Sequence, residues 1–325
     1  MPQELRAERS WERAGIVGEE MSWSVGYGPP TLAWVLRSAG VLALHDHGGI
    51  KFFGKEKVAD GPQGPKPSVA HLQEDIYGGR AFANELAGRG FVVLVHDAFL
   101  WGSRRFPMDV MPETILRTVE DFRAARERLG EVPDETELYD VAARHHEHVI
   151  SKYCALLGTT LAGVIAHEDR LAADYLGSRP DVIPSSIGCV GLPGGGCRAA
   201  LLQATCDQIR AAVVVGMMTA YEHLLDRHVE SHTWMFFPPG LARLCDWPDL
   251  AASRAPSPLL VQYNRDDHLF TAEGMEAAHQ RITNNYRTTN DPTAYTGEFY
   301  EGPHRFDLKM QEESAFDWLE CQLRD

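Results

Sequence analysis

Residues 187–202, IGCVGLPGGGCRAALL, decide how this chain is read. IGCVG runs without alternation into a glycine-rich turn, and CRAALL then follows in a helical pattern. A short apolar run bounded by a turn suits a strand buried on both faces. The stretch therefore reads as strand, tight turn, helix. Its turn has the frame of a G-x-S-x-G elbow, in which a sharp strand-to-helix turn lifts a serine hydroxyl out of the backbone. Here the frame is Gly191, Leu192, Pro193, Gly194, Gly195, and the proline at its centre has no nucleophilic atom.

Similar apolar runs lie on both sides: VLALHD (41–46), FVVLVHD (91–97), IRAAVVVG (209–216) and SPLLVQYN (257–264). Helical patterns separate them, notably EDIYGGRAFANELAGRG and CRAALLQATCDQ. This alternation predicts an α/β fold, with a mostly parallel central sheet and helices on both faces. Alternating polarity in EEMSWSVGYG and TLAWVLRS predicts antiparallel strands at one edge. Residues 107–180 hold at least two helical stretches, including a long one through ISKYCALLGTTLAGVIAHEDRLAADYL. Residues 217–250, with HTWMFFPPGLARLCDWPDL, are too apolar for a plain solvated loop and read as a flap or partial cap. The expected organisation is one domain over 1–325: an edge extension at 1–35, a helical excursion at 107–180 and the flap at 217–250.

The 325 residues are 44% hydrophobic and 24% charged, enough for one large domain or two smaller ones. A formal net charge of −15 argues against nucleic acid and anionic membrane as partners, since both favour basic patches. The six cysteines (154, 189, 197, 206, 245, 321) form no C-x-x-C pair and read as small apolar residues in a reducing compartment. MPQELRAERSWERAG lacks the apolar core of a signal peptide, and no run approaches the roughly 18 apolar residues of a membrane span. The expectation is a cytoplasmic protein acting on a small molecule without a cofactor, with homo-oligomerisation left open.

Taken in order, the motifs resemble the α/β-hydrolase superfamily, and within it the acetyl-xylan-esterase and dienelactone-hydrolase-like branches. The resemblance runs from about residue 35 to the end. LALHDHGG resembles the strand and turn that contribute to the oxyanion hole, and VVLVHDAFLWGSRR the strand, aspartate and G-x-R segment. DRLAADYLGSRPDVIPSSIGCVGLPGGG matches the helix, linker and elbow strand. LLVQYNRDDHLF resembles the strand and turn carrying the catalytic acid, and YEGPHRFDLKMQEESAFDWL the final strand, histidine and closing helix. The resemblance implies His304 as base, Asp267 as acid with Asp266 as the alternative, and His47, Gly48, Gly49 and Gly194 on the oxyanion side. Trp234 and Phe236, with Phe237 and Trp247, either line a pocket or pack the core. Asp97 and Arg104 either pair with each other or contact substrate. Only the nucleophile's position, Pro193, departs from the pattern.

Proline's ring fixes φ near −65°, so it removes both the nucleophile and the positive-φ backbone that would present one. A relaxed elbow is expected, with negative φ at Pro193 and any positive φ on Gly194 or Gly195. Cys197 lies a full turn into the helix and Cys189 within the strand. Ser185 and Ser186 precede the strand, and Ser103 has no visible base. None of them competes with water held by His304. His45, Asp46 and His47, like HHEH at 145–148, lack the three or four convergent ligands of a zinc site; the second string reads as a solvated helix face. No metal is expected. Three readings follow: an enzyme whose Asp267–His304 dyad activates water or abstracts a proton beside a carbonyl; a serine esterase whose nucleophile has been mutated to proline; and a non-catalytic binding member of the fold.

Overall fold

A computed structural model describes residues 3–13, 16–36, 40–225, 228–306 and 309–324. The elements run β1 (Gln3–Arg13), β2 (Ile16–Ser24), β3 (Thr31–Leu36), β4 (Val41–Leu44), α1 (Pro67–Tyr77), α2 (Phe82–Gly88) and β5 (Val93–His96). Next come α3 (Glu113–Arg128), α4 (Glu135–Leu156), α5 (Leu161–Ser178), β6 (Ile187–Gly191), α6 (Gly194–Thr205) and β7 (Ile209–Val215). The chain closes with α7 (Trp247–Ala252), β8 (Leu259–Asn264), α8 (Ala272–Arg287), β9 (Tyr295–Tyr300) and α9 (Lys309–Arg324).

All the described strands join one sheet in the order β1-β2-β3-β5-β4-β6-β7-β8-β9. β1, β2 and β3 pair antiparallel, as do β3 and β5. Every neighbouring pair from β5 to β9 is parallel. The apolar runs became strands because both of their faces are covered. Leu42, Leu94, Cys189, Val214 and Val261 point into a core shared with α5, α6 and α8. Their alternates Val41, Val93, Val190, Val213 and Leu260 point into a core shared with α2 and α9. Each such side chain, fully buried, contributes about 1.5–3 kcal/mol.

Three details differ from the pattern read in sequence. EDIYGGRAFANELAGRG divides at Gly78–Gly79 into α1 and α2. The long helix breaks: α4 ends at Leu156 and α5 starts at Leu161 after an 86° turn. The Thr160 hydroxyl drives that restart by accepting from the Gly163 N–H at 2.9 Å, an N-cap bond. Finally β1, which lies in the expected edge extension but was assigned no strand, is an exposed edge strand on β2, and its high charge suits an edge that must not recruit further strands. Among the described residues, no single helix is long and apolar enough to cross a membrane. In this sheet the carboxyl ends of β4, β6, β7 and β8 open onto one crevice, where doubly wound sheets bind ligands.

Candidate active site

The elbow sits where β6 gives way to α6. Pro193 has φ −53° and ψ −43° and serves as the N-cap of α6. These are helical values, so the ring suits the position without strain. The negative φ agrees with the sequence reading. Neither Gly194 nor Gly195 adopts a positive φ. Proline enters the helix directly and leaves no strained turn to absorb. The glycines answer a different need, close approach. A Cβ on Gly195 would lie 2.0 Å from the Leu44 carbonyl oxygen, and one on Gly194 would lie 2.5 Å from the His47 nitrogen.

His304, following β9, and Asp267, following β8, meet beside this turn. Asp267 Oδ2 lies 2.5 Å from His304 Nδ1, and its Oδ1 accepts from the Leu269 N–H at 2.8 Å. Asp266 turns away, its Oδ2 accepting instead from the Gly302 N–H at 3.1 Å. Asp267 is buried, and His304 is nearly so at 8% side-chain exposure. With Nδ1 held by a carboxylate, Nε2 is the ring nitrogen left for chemistry.

His304 lines a cavity of about 350 Å³ together with Pro193, Gly194, Cys197, Met217, His232 and Phe236. His47, Gly48 and Gly49, after β4, line it as well. Gly48 and Gly49 have φ of +55° and +70°, the turn that brings the chain back across the elbow. The His47 N–H makes no hydrogen bond to another described residue. Gly194 N–H, in the first turn of α6, has no intrahelical acceptor. Two backbone donors thus approach each other at the positive end of a helix dipole. The His47 imidazole is engaged elsewhere: Nδ1 accepts from the Gly49 N–H at 3.1 Å, and Nε2 faces Glu147 at 3.5 Å.

Phe236 stacks on Trp247 at 5.0 Å and lines the cavity. Trp234 does not line this cavity, which corrects its placement there. Its indole N–H donates to His148 Nδ1 at 2.7 Å, which holds it 40% exposed over an adjoining cleft. His232 stacks on Phe270 at 4.8 Å, and burial depresses its imidazole to about 4. Cys197 is the one candidate thiol in the cavity wall, and burial pushes it well above the ordinary thiol range. Cys189 is likewise raised by burial inside β6. Ser103 Oγ is occupied in accepting from the Leu32 N–H at 3.0 Å.

Sequence reasoning missed the buried charges behind the cavity. Lys51 pairs with Glu147. Glu147 Oε1 also accepts from Thr233 Oγ1 at 2.6 Å and the Trp234 N–H at 2.7 Å. One carboxylate therefore ties the turn after β4, helix α4 and the 217–250 segment together. This corrects the reading of HHEH as a solvated face, since His146 and Glu147 are buried. Nor do Asp97 and Arg104 pair with each other. Asp97 binds Lys55 at 3.0 Å, and Arg104 binds Glu168 at 2.5 Å. Burial alone would raise the Asp97 carboxyl, but Lys55 and two backbone N–H groups hold it below the ordinary range. Arg198 of α6 grips Asp169, which also faces His96 at 2.8 Å, and reaches the His45 carbonyl at 3.3 Å. No periodicity marks such pairs in advance: KFFGKEK looks like an ordinary polar turn. Among the described residues, no group of three or more His, Cys, Asp or Glu side chains is arranged to hold a metal.

No family model matches the sequence. The Bacillus subtilis (strain 168) protein YtaP, named for an inferred hydrolase activity, is 25% identical over 244 residues. That match covers 75% of this chain and 65% of YtaP, less than two thirds of the relative's length. A glucuronoyl esterase from Solibacter usitatus superposes with a TM-score of 0.65 at 13% identity, covering 98% of this chain and 86% of the esterase. Acetyl xylan esterase 1 from Thermoanaerobacterium sp. JW/SL YS485 gives 0.57 at 13% identity, covering 98% and 88%. At such identities the likeness shows the fold, which is that of the α/β-hydrolases.

Proposed function

We propose that the chain is a hydrolase-like enzyme acting on a small ester or other acyl compound, with water in place of a serine nucleophile. The observation that carries this reading is His304, held by Asp267 at 2.5 Å and lining the same cavity as Pro193. In the reaction, His304 Nε2 takes a proton from water, and the water oxygen attacks the carbonyl carbon. Negative charge develops on the carbonyl oxygen, which the Gly194 and His47 N–H groups receive. Collapse expels the alkoxide, and the imidazolium returns its proton to the leaving oxygen. Asp267 stays ionised throughout, fixing the ring's tautomer and orientation. A cavity of about 350 Å³ leaves room for a small acyl group beside the dyad. The hydrolase name of YtaP and the esterase names of the structural neighbours support the reaction class.

Turnover of small acyl esters by the protein as it stands, by His304→Ala, by Pro193→Ser and by the double variant tests this reading. A positioned acid–base is worth roughly 10²–10⁴-fold, so His304→Ala is expected to fall by that factor while Pro193→Ser gains little. An inert parent protein and a competent, His304-dependent serine variant would instead identify an esterase that has lost its nucleophile. No response at either position would indicate a binding protein.

A further inference from the structure

We infer that Lys57 is a positioning residue of this site: its ammonium grips the Asp46 and His47 carbonyls and so aims and polarises the His47 N–H toward the elbow. Lys57 is completely buried. Nζ donates to the Asp46 carbonyl at 3.1 Å and to the His47 carbonyl at 2.8 Å. The nearest carboxylate, Asp46 Oδ2, is 3.6 Å away and makes no hydrogen bond, while Tyr77 donates to Asp46 Oδ1 at 2.7 Å. The ammonium's close partners are therefore two consecutive peptide carbonyls. The base of the side chain is itself pinned, since Gln73 Nε2 donates to the Lys57 carbonyl at 3.3 Å.

Such an arrangement has a directional consequence. In a trans peptide the C=O and N–H point to opposite sides. A cation on the Asp46 oxygen therefore leaves the His47 N–H directed away from Lys57. The His47 nitrogen lies against Gly194, at 2.5 Å from where its Cβ would be. Charge on the carbonyl withdraws electrons through the peptide and strengthens the opposite N–H as a donor, as in other charge-assisted and chained hydrogen bonds. Burying an ammonium is costly unless it is paired and hydrogen-bonded, so this grip sets a high premium on the turn's exact shape. Lys57 does not line the cavity and touches no substrate. It acts through the peptide it holds.

The inference rests on the proposed reading of the elbow as the place where a carbonyl oxygen becomes negative. Lys57→Met keeps length and loses charge, whereas Lys57→Arg keeps the charge. Two probes are used: phenylphosphonate, a stable anion for binding by calorimetry, and phenyl acetate for turnover. Loss of one oxyanion donor costs about 10²–10³-fold, so losing its polarisation is expected to cost about tenfold. Lys57→Met is expected to weaken phenylphosphonate by that factor and lower kcat equally, with KM for phenyl acetate little changed. Lys57→Arg is expected to restore most of both. The His47 amide proton is expected downfield in the parent protein and in Lys57→Arg, a readout that stands even if Lys57→Met does not fold. Unchanged phosphonate binding in a folded Lys57→Met, or an ordinary His47 amide shift in the parent protein, overturns the assignment. Lys57-dependent phosphonate binding without ester turnover would support it while refuting hydrolysis.

Discussion

Replacing Asp169 with asparagine removes one charge from an enclosed ion pair beside the site. Asp169 receives Arg198 through Nε at 3.1 Å and Nη2 at 2.6 Å, with His96 at 2.8 Å, and the side chains of the pair are 0% and 2% exposed. Arg198 then keeps its charge in the buried interior with only neutral acceptors, the asparagine amide oxygen and the His45 carbonyl at 3.3 Å, and with His96 beside it. Breaking one side of a buried pair costs about 3–5 kcal/mol. At about 2.1 cal/mol/K of unfolding entropy per residue, a chain of 325 residues loses roughly 1.5 °C of Tm per kcal/mol, so Tm is expected to fall by about 4–8 °C. The double variant Asp169→Leu with Arg198→Met, which removes both charges, is expected to recover most of that loss. Calorimetric melting at pH 7 decides the matter. A single variant within about 1 kcal/mol of the parent protein, or a double variant less stable than the single one, would refute the reasoning. The acid side gives a second check. Burial alone would raise Asp169, yet Arg198 and His96 bring it down to about 2 from 3.8. Its ionised form therefore stabilises the fold above pH 3.8, and that contribution is lost as pH falls toward 2.

Asp267→Asn is expected to lower kcat on small esters by about 10²–10⁴-fold with little change in KM, because it disturbs the base and not the substrate's fit. Gly195→Ala is expected to destabilise by at least about 1–3 kcal/mol in urea unfolding, since its Cβ would fall 2.0 Å from a backbone oxygen that cannot swing aside. For His232, burial foremost and His304 beyond it hold the folded value near 4 against an ordinary 6.5. The unfolded chain then binds the extra proton between those values, so stability falls as pH drops from about 6.5 to 4. The full shift corresponds to roughly 3 kcal/mol, trimmed to about 2–3 by partial solvent contact. His232→Phe, which keeps the stack on Phe270, is expected to flatten that part of the acid profile in pH-dependent melts.

The residues of the dyad were legible because each follows a strand whose apolar run is visible in the sequence. The parallel pairing of β6, β7, β8 and β9 then places Pro193, Asp267 and His304 at the same carboxyl end of the strands. The reason for the elbow's glycines was not legible, though its relaxed shape was, from the proline. Its fixed φ suits a helix start, and the adjacent glycines serve the approach of Leu44 and His47. Trp234 was misplaced because aromaticity gives apolar weight but no direction. A single hydrogen bond to His148, 86 residues away in sequence, sets where the indole points. The same limit hid Lys51, Lys57 and Glu147. A buried cation is distinguished from a solvated one only by partners that the fold brings together.

Hydrolysis at this dyad without a covalent intermediate makes one demand that is open to direct inspection. During steady turnover of phenyl acetate, the protein is quenched and its intact mass compared with that of the resting protein, alongside His304→Ala. The account predicts turnover that depends on His304, with no burst and no acetylated protein at any time point. An acetyl group that forms and decays at the turnover rate, on a side chain whose removal abolishes activity, would contradict it.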